Sequence, residues 1–175
     1  MLNEVFTKAV KCQERLPREI MAHRVSAEYH RHWNMTLGGF ATVLTTLVST
    51  SVFTGLVKAA TSTKPFSAEP VYAVVLILSV FAPIIVALNT FMHHAEDSAT
   101  HRASVAGYAG VLNELTIFLA KYGDSSPPPE KTDEALKDYN DIMNKYVSVL
   151  QNSITLTSSA YKAGDRLLAE EMALR

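Results

Sequence analysis

Histidine and arginine are the residues here with the most chemistry to offer, and they are unevenly placed. His23, His30 and His32 precede one long uncharged stretch, and His93, His94 and His101 follow another. Arg15, Arg18, Arg24, Arg31 and Arg102 are interleaved with them. Imidazole ligates metals and titrates near neutral pH. Guanidinium grips phosphate through paired N–H donors. A zinc site is conceivable because His94 and His101 stand two turns apart on one helix. No cysteine or tight His/carboxylate cluster completes four ligands, so no metal is expected. The second chemistry is anion binding. Arg15, Arg18, Arg24, His30, Arg31, His94, His101 and Arg102 form the candidate ligand-binding set, and repetition around an oligomer axis would multiply its charge. The plainer reading is a solvated rim touching lipid headgroups.

Hydroxyls form the other polar set. Thr42, Thr46, Ser49, Thr50 and Phe53 fall on one broad helical face, and Asn89 lies near the end of the second apolar stretch. Such a face packs tightly against another helix or lines a weakly hydrated pore, with Phe53 as an apolar constriction. Catalytic motifs are missing: there is no Gly-rich phosphate loop, GxSxG, HExxH or CxxC. Cys12, the single cysteine, sits on an apolar stripe and reads as a packed thiol. No enzyme activity and no cofactor are expected.

The elements that hold these residues start with two uncharged runs, Met35–Val57 and Val71–Met92, of 23 and 22 residues. As helices each reaches roughly 30 Å, the thickness of a bilayer's hydrocarbon core. Mean hydropathy is only +0.09 and net charge −1, because the charges are segregated into the flanks. Five arginines flank the runs, against Lys58 and Lys64 in the connection, which puts both termini in the cytoplasm. The expected order is a cytoplasmic helix over 1–34, a span over 35–57, an outer loop over 58–70 and a second span over 71–92. A cytoplasmic continuation over 93–122 and a C-terminal helix over 130–175 complete it. The class is an all-α membrane protein: a two-helix transmembrane hairpin with long cytoplasmic helices forming a bundle.

Within those elements, Leu2, Val5, Phe6, Ala9, Cys12, Leu16, Ile20 and Ala27 recur at helical spacing, with Pro17 a possible kink. Pro83 is a hinge candidate in the second span. No breaker follows Met92 until Gly123, so one helix over 71–122 is expected. Ala99, Ala103, Gly107 and Gly110 make a small-residue seam suited to assembly. Thr132 or Asp133 is the expected cap of the last helix. A tetramer is the first expectation and a pentamer the next, because two helices cannot enclose a water path.

Several short motifs carry a resemblance: Tyr29-His-Arg-His-Trp-Asn34, Thr50-Ser-Val-Phe53, Leu88-Asn-Thr-Phe91, Ala95-Glu96, His101-Arg102, Tyr108 and Glu114. Over about residues 25–119 the chain resembles the SLATT family, two-transmembrane bacterial proteins associated with SMODS nucleotidyltransferases and SLOG nucleotide-sensing domains. The resemblance implies an antiphage, abortive-infection effector in the bacterial inner membrane. It would permeabilise the bilayer as an ion channel, under control of a partner nucleotidyltransferase or its nucleotide or oligonucleotide product. A membrane anchor that recruits a cytoplasmic partner is the alternative.

Overall fold

The computed structural model describes the backbone of residues 2–61, 70–123 and 129–174, and their side chains except at 2, 52–61, 70–76, 78, 89, 91, 129 and 130. The described residues are helical throughout, in five elements: α1 Leu2–Thr61, α2 Pro70–Phe91, α3 His94–Tyr122, α4 Pro129–Asn152 and α5 Ser158–Ala173. They divide into two compact units, one of residues 1–29 with 96–175 and one of residues 30–95.

The first unit is a helical bundle. The apolar stripe of α1 supplies Val5, Phe6, Ala9, Cys12, Leu16 and Ile20, and α3 meets it with Tyr108, Val111, Leu115 and Phe118. Ala135, Tyr139, Ile142, Tyr146 and Val149 of α4 close the core. Pro17 removes one helical N–H yet does not interrupt α1. Its neighbour Leu16 is only 1% exposed, and that burial holds the turn in place. Burial also pushes the Cys12 thiol up from its ordinary range, so it remains a packed, protonated group.

Two helices end earlier than their sequence suggests. The C-terminal segment is broken between Asn152 and Ser158. The side chains of Asn152 and Ser153 donate back to the carbonyls of Ser148 and Val149, and Thr157 then caps α5 by accepting from the Ala160 amide. Thr157 therefore starts a new helix inside the stretch 130–175 that is expected to be one. At the other end Pro129 already opens α4, ahead of Thr132 and Asp133. Residues 71–122 are also not one helix. Met92 makes the last bond of its turn, to the Leu88 carbonyl, and His93 has φ 47°, in the left-handed region. No proline or glycine marks this break; histidine is among the residues that tolerate such a backbone.

The second unit packs α2 against the second half of α1 through small residues. Ala41 and Ala82 are buried, while Thr45, Val48 and Ser49 face Ser79, Pro83, Val86 and Ala87 across a groove of about 460 Å³. The large apolar side chains point the other way: Phe40, Val43, Leu47, Ile77, Val80, Phe81, Ile84 and Leu88 are all exposed. Among the described residues one helix, α3, is long and apolar enough to cross a membrane, with a mean hydropathy of 1.3 over 18 residues. That helix is also the centre of the bundle and carries Arg102, Glu114 and Lys121. A shorter apolar segment, Ser79–Leu88, lies in α2.

Candidate functional site

Three places hold polar groups in an arrangement that chemistry could use. The first is the hydroxyl file of α1. Thr42, Thr46 and Thr50 are exposed and recur every four residues, so they share one side of the helix. Each hydroxyl donates to the carbonyl four residues back, at 2.8–2.9 Å to Gly38, Thr42 and Thr46. This satisfies the hydroxyl hydrogens within the helix. Ser49 departs from this file and lines the groove toward α2, together with Pro83. The expected broad face is thus two faces, one for packing and one for exposure. The side chains of Phe53 and Asn89 lie outside the described residues.

The second place is a cleft in the bundle lined by Arg15, Arg18, Glu19, Ser158, Tyr161 and Lys162, of about 530 Å³. Glu19 organises it: Arg15 Nε reaches one carboxylate oxygen at 3.1 Å and the Tyr161 hydroxyl donates to the other at 2.7 Å. Burial and this bond push the Tyr161 hydroxyl up to about 12, so it stays a donor. Arg18 grips Asp165 with Nε and Nη2 at 2.7 and 2.8 Å and lies over the Tyr161 ring. Sequence periodicity could not show that α5 brings Tyr161 and Lys162 to Arg15 and Arg18. The remaining arginines are not gathered here. Arg102 approaches Glu28 at 4.0 Å, and Arg24 and Arg31 are exposed.

The third place is a pair of histidines. His23 of α1 and His101 of α3 are 2% and 3% exposed, with their Nδ1 atoms 2.9 Å apart. Burial first, then the neighbouring His101, lowers the His23 pKa to about 4, and Glu19 opposes that shift more weakly. In the second unit His30 and His94 repeat the motif, Nδ1 to Nδ1 at 3.0 Å. Each of His94 and His101 thus has a histidine of α1 as its ring partner, not the other. The signal was present in the chain: histidines seven apart at 23 and 30, and again at 94 and 101.

The expected assembly seam is divided. Gly107 is used inside the bundle, where a Cβ would stand 2.8 Å from Val149 Cγ2. Ala99, Ala103 and Gly110 remain exposed, and a Cβ at Gly110 would meet nothing within 4 Å. Comparison with family models, with curated proteins and with solved structures returned no match.

Proposed function

We propose that this chain is a pore-forming membrane effector whose helical bundle lies in the cytoplasm and whose hairpin lies in the bilayer. The observation that carries this reading is the reversed surface of the second unit, with small side chains inside and Phe40, Leu47, Val80, Phe81 and Ile84 outside. In water such a face would leave a large apolar area hydrated. In lipid it is the ordinary exterior of a two-helix span. The spans are those of the uncharged runs, 35–57 and 71–92, with both termini cytoplasmic. Several copies, a tetramer first, would set the Thr42, Thr46 and Thr50 file around a water path.

The resemblance to SLATT proteins supports a place in bacterial antiphage defence, with a nucleotide or oligonucleotide made by a partner nucleotidyltransferase as the controlling signal. The cleft of Arg15, Arg18 and Lys162 is the surface of the bundle best suited to such an anion. A non-channel anchor is the second reading, favoured by the back-bonded threonines, which suit lipid or helix packing as well as water. Ion flux into liposomes that contain only this protein separates the two. Flux that cysteine substitution at Thr46 makes sensitive to a water-soluble thiol reagent supports the pore. A tight bilayer at all protein densities leaves the anchor.

A further inference from the structure

We propose that the His23–His101 pair is an acid-sensitive latch that fastens α1 to α3 and lets go when both rings are protonated. Two ring nitrogens stand 2.9 Å apart only if one hydrogen lies between them. One ring therefore donates Nδ1–H and the other accepts on a bare Nδ1. Adding one proton to the donor ring's Nε2 keeps the bridge. Adding the second puts a hydrogen on both facing nitrogens, two positive charges side by side, and the bridge is lost.

On the His23 side the neighbours are aromatic. His23 lies against the Tyr108 ring, centroids 5.5 Å apart, and Tyr108 is itself 1% exposed. Tyr146 of α4 stacks behind Tyr108. The carboxylate that acts on His23, Glu19 on α1, is already held by Arg15 and by Tyr161 of α5, and on α3 Asp97 stands one turn before His101. Arg24, Arg102 and Glu28 sit on exposed sides of α1 and α3, with Arg102 turned to Glu28. Glu19 attracts a proton to His23, but the Tyr108 ring lies against that imidazole and burial opposes the charge. The seven-residue repeat in the second unit, His30 to His94, uses the same bridge, and there the buried His94 Nε2 has no hydrogen-bond partner among the described residues. The latch does not depend on a pore.

Histidine-labelled NMR of the full chain in detergent micelles reads the latch directly. His23 should stay neutral down to about pH 4, and protonation of the pair should coincide with loss of the α1–α3 packing. Below the ordinary imidazole value of about 6.5 the closed form should lose about tenfold in population per pH unit for each proton taken up on opening. The double variant H23Q/H101Q retains an amide-to-amide bond but has nothing to titrate. Its thermal midpoint should lose most of the wild-type fall between pH 7 and 4.5. If that variant does not fold, the wild-type titration decides alone. Ordinary titration of both rings in the folded chain, or an unchanged acid response in the folded double variant, would overturn the latch.

Discussion

Leu16, Tyr108 and Leu115 in the bundle are at most 1% exposed, while Arg18 and Lys145 face outward and pair across helices. In the hairpin unit the order is reversed: Ala41 and Ala82 are inside, and Phe40 and Phe81 are 61% and 52% exposed. Helix α1 contributes to both, so the difference does not lie in helix propensity. On the function proposed above, it lies in the medium each surface meets. Water drives large apolar side chains inward. Lipid does not, and small residues then gather where backbones approach. The same helix can serve both because its pattern changes along its length, from stripes of apolar and charged residues to an uncharged mixture of aliphatics and hydroxyls.

The largest expected effect tests that reversal. Leu115→Ala should cost the bundle about 2–5 kcal/mol in chemical denaturation, as buried leucines do. Phe81→Ala should change folding stability by less than about 0.5 kcal/mol while weakening partition into vesicles. Equal losses in both would mean that the outer face of α2 is a protein core, and the contrast would collapse.

Acid should strike the bundle next. The folded His23 pKa of about 4 lies below the unfolded value of 6.5, so unfolding takes up a proton in that window. Stability is full above pH 6.5, falls as pH drops through the window and levels off below about 4. At 1.36 kcal/mol per unit the loss is about 3 kcal/mol. Denaturant titrations at pH 7, 5.5 and 4 measure it, and a flat profile would contradict the burial argument.

Close helix approach inside the bundle gives a smaller effect. Gly164 lets α5 lie on α1, because a Cβ there would stand 2.8 Å from the Ala22 backbone nitrogen. Gly164→Val should cost about 1–3 kcal/mol by overpacking. Gly110→Ala, by contrast, meets open space and should gain up to about 1 kcal/mol through helix propensity. A loss at Gly110, read together with a smaller oligomer in detergent, would place a second copy on that exposed face. The least effect is expected at the cleft: Arg18→Ala removes an ion pair whose members are about half exposed and screened by water, so thermal stability should hardly change. Lower stability with unchanged anion binding would show that Arg18 only docks α5.

The chain by itself determined that the described elements are helical and which stripe of α1 enters the bundle. The recurrence of Val5, Ala9, Leu16 and Ile20 is the bundle stripe of α1, and Pro70 opens α2, because periodicity and proline geometry act over a few residues. Tertiary structure decided the rest. His23 meets His101 across 78 positions, and Tyr161 reaches Glu19 across 142. Gly107 looks like an outward seam until Val149 fills it. The break at His93 has no glycine or proline to announce it. Such pairings depend on the register of whole helices against one another, which is set by the summed packing of their faces and not by any local run of residues.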